Sequence, residues 1–224
     1  MENSLQKNAF IGYEADAWFE RNKEYLENYS AKDDKVTNLI REYNLNPKSV
    51  LEIGCAAGYR LDGIKSFFND CDVFGIEPSK RAIEYGRKHF ERVNFNEGTA
   101  DDLGKYANAS KDVVIVGFVF YVIDRNIVFK VVSEIDRVLK NGGILIIVDF
   151  FSESPIKNEY QHIKNFNAYS FKQNYDEIFT SSKLYYLLDK STLNHSTKVL
   201  DATEDYFNKY SIAMLKKDIN ASYK

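Results

Sequence analysis

Apolar residues recur at two periods along this chain, and the changes of period mark its elements. Trp18, Tyr25, Leu26 and Tyr29, then Val36, Leu39, Ile40 and Tyr43, fall at helical spacing. Two helices are therefore predicted between about Tyr13 and Tyr43, the second capped by Asp33 or Asp34. From Lys48 the pattern changes to short apolar runs separated by amphipathic stretches. Ser49–Ile53, Cys71–Ile76, Val93–Asn96, Asp112–Phe118 and Ile144–Val148 read as five strands. Helices are predicted up to Phe68, from Pro78-Ser79 to His89, and over Ile127–Leu139, the last stopped by Asn141-Gly142-Gly143 as a C-cap. After Phe151 the rhythm breaks. Residues 152–182 are polar and aromatic and predict one or two irregular helices, ahead of two last strands at Lys183–Leu188 and Tyr206–Leu215.

Short apolar strands alternating with helices predict a parallel sheet covered on both faces, and two final strands in succession predict an antiparallel hairpin on its edge. No repeat or linker-like stretch interrupts the chain. One α/β domain is expected, with an N-terminal helical cap (1–46), a core (47–150), and a cover with the terminal hairpin (151–224). The 224 residues, 44 % hydrophobic and 28 % charged, suit a globular fold and exclude collagen, low-complexity disorder and a disulfide-stapled mini-protein. A formal charge of −3 gives no general pull toward DNA or anionic lipid. No apolar run approaches the roughly 18 residues of a membrane span, and MENSLQKN has neither the basic start nor the apolar core of a secretory signal. Cys55 and Cys71, without a CxxC, fit a reducing cytoplasm. His89, His162 and His195 are scattered, so no metal is expected, and His89 and His195 are expected to be solvated.

The most informative stretch is Val50-Leu51-Glu52-Ile53-Gly54-Cys55-Ala56-Ala57-Gly58, where a strand ends, small residues turn the chain, and a helix begins. Small residues are needed where backbone approaches a ligand closely. Glu77, 19 residues beyond Gly58 at the end of the second strand, stands where a carboxylate accepts both hydroxyls of a ribose. A dinucleotide fingerprint would need a third glycine at Tyr59, and no GK[ST] follows for a P-loop. Glu52 would repel a pyrophosphate and favours a ligand carrying an ammonium group.

Glu52-Ile53-Gly54-x-x-x-Gly58 resembles the first motif of class I S-adenosylmethionine-dependent methyltransferases, with Ala56 in place of the middle glycine. Four further stretches resemble the later landmarks of that family in order: Gly75–Ser79, Asn96–Leu103, Asp112–Gly117 and Val138–Gly143. The resemblance covers about residues 48–150. It implies a Rossmann-like, doubly wound seven-stranded sheet of order 3-2-1-4-5-7-6, last strand antiparallel. It also implies S-adenosylmethionine as cofactor, with S-adenosylhomocysteine as product. On this likeness Glu52 and the loop Gly54, Cys55, Ala56 and Gly58 hold the methionine part. Glu77 and Pro78 hold the ribose, Thr99, Ala100 and Asp101 the adenine, and Gly117 and Phe118 border the site. The stretch Trp18–Asn22, a large aromatic mixed with polar groups, reads either as an amphipathic helix docked on the core or as a lid over the cofactor with Trp18 or Arg21 reaching the site.

The fourth strand is not followed by the [ND]PP[YF] of base-directed enzymes, which argues against DNA, and Val122 stands where many small-molecule members carry histidine. His162, on the segment expected to cover the acceptor, is the candidate general base, with Asp149 orienting it or acting in its place. Trp18-x-x-Arg21-Asn22, Phe120-Tyr121-Val122-Ile123-Asp124-Arg125 and Val148-Asp149-Phe150 resemble small bacterial methyltransferases of surface-polysaccharide and glycan pathways. The acceptor implied is a small polar molecule such as a nucleotide-linked sugar. Protein or RNA methylation, or cofactor binding without catalysis, are the alternatives, and monomer and homodimer both stay open.

Overall fold

The computed structural model describes residues 5–163, 168–200 and 208–221. Helices α1 (Leu5–Ala9), α2 (Ala15–Glu27) and α3 (Lys35–Glu42) precede β1 (Ser49–Ile53), α4 (Tyr59–Phe67), β2 (Asp72–Glu77), α5 (Lys80–His89), β3 (Asn94–Glu97) and β4 (Lys111–Gly117). Then follow α6 (Val128–Val138), β5 (Leu139–Phe150), β6 (Ile156–Glu159), β7 (Tyr169–Lys172), α7 (Asp176–Thr180), β8 (Tyr185–Asn194) and β9 (Lys209–Lys217). Seven strands form one sheet in the order β3-β2-β1-β4-β5-β9-β8, and β6 and β7 pair as a separate hairpin. With that hairpin set aside, this is the expected order. The first five strands run parallel, and β9 returns antiparallel beside β5 with Ile147 opposite Ala213.

Alternation along the central strands divides the core in two. Val113, Ile115, Ile144 and Ile146 face Val36, Ile40, Leu61 and Ile64 of α3 and α4. Val114, Val116, Leu145 and Ile147 face Val131 and Ile135 of α6 and Phe179 of α7. Burial on both faces is why these strands read as unbroken apolar runs. Truncating fully buried Ile115 to alanine would cost about 2–5 kcal/mol. The strand order reverses between β1 and β4, so their carboxyl tips border the crevice in which open sheets place their ligands.

Four expectations are corrected. The Asn141-Gly142-Gly143 turn does not cap α6. Leu139 is already extended and pairs with Lys111, and Gly142, at φ +80°, makes an irregularity inside β5. Residues 152–182 hold the β6–β7 hairpin and only the short α7, because Tyr169–Lys172 pairs with Ile156–Glu159 while showing apolar side chains too sparsely to read as a strand. The first helix begins at Leu5 and passes through a π-helical turn, Phe10–Glu14, into α2. Its buried positions include Gln6 and Glu14, so apolar periodicity could not reveal it. β8 and β9 are longer than predicted or displaced, and Tyr206 of the last predicted strand lies outside the described residues.

Candidate active site

The β1 tip turns through three left-handed residues: Gly54 at φ +75°, Ala56 at +47° and Gly58 at +85°. A Cβ on Gly54 would stand 2.5 Å from Val119 Cγ2 and 3.1 Å from the Gly117 carbonyl oxygen, so the tips of β1 and β4 meet as backbone. Ala56 adopts the left-handed conformation despite its side chain, which costs roughly 1–2 kcal/mol. The Ala56 N–H donates to Glu77 Oε2 (3.0 Å), and the Ser79 N–H donates to Glu77 Oε1 (2.9 Å). Burial pushes the Glu77 carboxyl up to about 7, against the pull of those two N–H groups. Pro78 lies between Glu77 and Ser79, whose hydroxyl caps α5 and donates to Asp16 (2.7 Å).

Glu52 is 2 % exposed. Its Oε1 pairs with Arg60, while its Oε2 is the only buried side-chain polar atom among the described residues without a hydrogen-bond partner. Burial raises the Glu52 carboxyl and Arg60 opposes that rise. Arg60 also reaches Asp34 (3.2 Å), the N-cap of α3, so it ties the helical cap to the β1 tip. A Cβ on Gly117 would lie 3.3 Å from Arg60 Nη1 and 3.5 Å from Glu52 Oε1, which puts this ion pair against the β4 tip. An orphaned carboxylate oxygen, a guanidinium and a glycine-lined cradle together fit an aminocarboxylate group.

Cys55 is a buried thiol held well above its ordinary pKa by burial and the nearby Glu77 and Glu52 carboxyls. Trp18 packs with Phe19, Ala57 and Ala82, beside the loop. Ala100 and Asp101 are buried and Thr99 is half-buried. Asp101 accepts from Thr99 Oγ1 (2.8 Å), Lys7 Nζ (2.7 Å) and Lys130 Nζ (3.2 Å). Burial alone would raise its pKa, but these donors outweigh it and hold the carboxyl below the usual range. Asp101 thus anchors the first helix.

Phe118, at φ +52°, carries the β4 tip toward aromatic neighbours. Its ring lies 5.3 Å from Phe150, 5.5 Å from His195 and 5.6 Å from Tyr210. His195 is therefore not a solvated loop residue. Burial, with Lys198 and Lys172 adding repulsion, lowers its pKa to about 4, so the imidazole is neutral at neutral pH. Asp149 is 1 % exposed and accepts from the N–H groups of Val119 (3.1 Å) and Phe150 (2.8 Å). Burial lifts it to about 7 against the backbone donors of the turn after β4. Its oxygens hold that turn and with it Tyr121.

His162 is exposed, with its ring 5.5 Å from Tyr160, and no carboxylate orients it among the described residues. The inward-facing group on that segment is Tyr160, whose hydroxyl donates to Glu14 (2.8 Å). Glu14 is 1 % exposed and pairs with Arg21, the residue expected in a lid. Tyr121, 6.4 Å from Tyr160 by ring centroids, joins this group to Phe150. Glu14, Arg60 and Tyr160 were not singled out by sequence, and His195 was expected to be solvated. Glu14 and Arg21, two helical turns apart, and Arg60, two residues beyond Gly58, carried a weak positional signal. Tyr160 and His195 carried none.

Residues 51–147 match a family described as a methyltransferase domain. An uncharacterized methyltransferase of Bacillus subtilis, YcgJ, is 29 % identical over 117 residues, 50 % of this chain and 44 % of that protein. The chain thus spans under half the length of that relative. The ubiquinone/menaquinone biosynthesis C-methyltransferase UbiE of Campylobacter jejuni is 26 % identical over 190 residues, 75 % of this chain and 78 % of that one. Among solved structures, the 1,6-didemethyltoxoflavin-N1-methyltransferase of Burkholderia thailandensis, with 1,6-didemethyltoxoflavin and S-adenosylhomocysteine bound, superposes with a TM-score of 0.71 at 12 % identity, covering 97 % of this chain and 92 % of that one. At that identity the likeness is one of fold.

Proposed function

We propose that this chain, which carries a methyltransferase domain over residues 51–147 on the class I α/β fold, transfers a methyl group from S-adenosylmethionine to a hydroxyl of a small polar acceptor, such as a nucleotide-linked sugar or surface-polysaccharide precursor. The observation that carries the reading is the unpartnered Glu52 Oε2 beside Arg60, in the cradle where β1 and β4 meet. The cofactor supplies a methyl group already activated on a sulfonium. The work of this chain is to bind, align and exclude water.

Glu52 Oε2 accepts from the cofactor's ammonium and Arg60 faces its carboxylate. Glu77 accepts from the ribose hydroxyls, and Thr99 and Ala100 border the adenine. Phe118 offers a ring face to the positive sulfur. On the acceptor side, Tyr160 takes the place expected for His162. Its hydroxyl donates to Glu14 and also hydrogen-bonds Tyr121, so an acceptor hydroxyl that took the place of Tyr121 on the Tyr160 oxygen would give up its proton there as Tyr160's own proton passes to the Glu14 carboxylate. Arg21 pairs with Glu14 and holds its carboxylate in place. Asp149 positions the turn that carries Tyr121. Lys172 over Phe150 (4.6 Å) and Lys198 over Tyr210 (5.3 Å) favour an acceptor that combines negative charge with an apolar face. The two buried thiols, neither in a disulfide, suit a cytoplasmic setting, and no helix among the described residues is long and apolar enough to cross a membrane.

Calorimetry with S-adenosylhomocysteine tests the cofactor, and release of that product across neutral, phosphorylated and nucleotide-linked sugars tests the acceptor. Binding of NAD with no response to S-adenosylhomocysteine overturns the first, and turnover confined to protein or RNA overturns the second.

A further inference from the structure

A cavity of about 530 Å³ opens beside β2 and β3, next to the first residue of β4, whereas the site above lies at that strand's last. Its volume falls within the range of small-ligand sites. Arg87, Lys105 and Lys111 line it together with Asn94, Asn96 and Ser110, and no carboxylate does. We propose that this cavity is a second binding site, for a small polyanion bearing phosphate or carboxylate groups, with Lys111 as its anchoring cation.

Lys111 is the observation that points to a ligand. It is 5 % exposed, and its ammonium lies 3.4 Å from the centroid of Phe74 and 4.9 Å from that of Tyr106. No carboxylate among the described residues pairs with it. Asp72 acts on it only at longer range, and Asp112 is already engaged by Lys140 at 2.6 Å. Burial holds its pKa below the ordinary lysine value. A cation withdrawn from water this far, with ring faces on two sides and no counter-ion, destabilises the fold relative to an apolar side chain of the same length.

The other cations keep donors to spare. Arg87 gives one N–H to the Phe95 carbonyl (3.1 Å), and Lys105 gives one to the Glu97 carbonyl (3.3 Å). Asn96 Nδ2 donates to the Tyr106 hydroxyl (3.1 Å) and Asn94 Nδ2 to the Val73 carbonyl (3.2 Å), which fixes the neutral groups around the cavity. Three positive groups around one opening, without an acid among them, recognise spread negative charge.

The test uses the full chain with inorganic pyrophosphate and, separately, citrate, read by calorimetry and by amide NMR shifts at Asn94, Asn96, Ser110 and Lys111. Variants are Lys111→Met and, as a control, Lys88→Gln, which removes an exposed cation of α5 outside the cavity. At least one probe is expected to bind with shifts at these amides, and the preferred probe tells phosphate from carboxylate chemistry. Lys111→Met should weaken it at least about tenfold, as for one lost charge-assisted hydrogen bond, without lowering Tm, while Lys88→Gln changes it by less than about twofold. Absence of shifts with both probes at millimolar concentration overturns the proposal, and so does an equal loss in both variants, which would mark diffuse attraction. Should Lys111→Met unfold, the paired change Arg87→Gln with Lys105→Gln must give the same loss.

Discussion

At the tips of β1 and β2 the site is built from backbone, and at the tips of β4 and β5 it is built from side chains. On the first side, Gly54, Ala56 and Gly58 set the turn, and the Ala56 and Ser79 N–H groups fix Glu77 from within one βαβ unit. On the second, Tyr160 reaches Glu14 across 146 residues of sequence, and the Gln6 side chain reaches the Val122 carbonyl (2.7 Å) and the Tyr169 carbonyl (3.0 Å) from the far end of the chain. A backbone site is specified locally and tolerates change in its surroundings. A side-chain site assembled from four segments depends on each of its few long-range bonds. The first side suits an invariant cofactor, the second a particular acceptor.

The sharpest way to separate the two sides is Tyr160→Phe. It removes the hydroxyl proposed to receive the acceptor's proton and leaves the glycine loop untouched. A fall in kcat of roughly 10²–10⁴-fold is expected, with unchanged affinity for S-adenosylhomocysteine by calorimetry. An equal loss in cofactor affinity would show that the two sides are one unit.

Glu77→Ala is the converse change. Loss of the two proposed ribose contacts should weaken S-adenosylhomocysteine binding by about 2–4 kcal/mol, at roughly 1.5–3 per charge-assisted bond with some non-additivity. Circular dichroism should show the fold intact, because Glu77 ends a strand. An unchanged Kd would remove Glu77 from the site.

The pH dependence of binding refines this. Burial lifts the Glu77 carboxyl to about 7, so it is protonated below that pH and must ionise to accept two hydroxyls. Cofactor binding should expel a proton and tighten by up to about tenfold per unit as pH rises toward 7, then level off. In the absence of ligand the sign is opposite. The stability contributed by the raised carboxyls of Glu77 and Asp149 is complete below their unfolded values near 4 and is lost as pH rises through about 7. Calorimetry in buffers of different ionisation enthalpy would count the proton, and no proton released near pH 6 would exclude Glu77 as its source.

The smallest expected effect is that of Ala56→Gly. Relief of the left-handed strain, less the entropy glycine adds to the unfolded chain, should leave the protein unchanged to about 1 kcal/mol more stable in urea. A clear loss of stability would mean that the alanine methyl has packing contacts of its own.

The core strands and the glycine loop were legible because each rests on a local rule, whereas the order of the strands came from the family resemblance. Val113–Val116 are buried on both faces, so every residue is apolar. Gly54 and Gly58 stand where the backbone needs a positive φ and no side chain fits. Asp34 and Ser79 cap their helices through bonds three residues long. The first helix escaped because its buried face carries Gln6 and Glu14, and hydrophobic periodicity cannot report a face that is buried by hydrogen bonds.

What the sequence by itself determined is therefore the set of core strands and helices and the loop that follows β1, with the sheet order and its switch point supplied by the family resemblance. Tertiary structure alone decided that Arg60 faces Glu52, that His195 lies among aromatic rings while His162 stands outside, and that Tyr160 meets Glu14. The physical reason is range. Period, cap and turn chemistry act over three to four residues and leave a trace in the string, whereas Tyr160 meets Glu14 across 146 residues, and even Arg60 meets Glu52, eight residues away, only because the folded chain sets the two side by side.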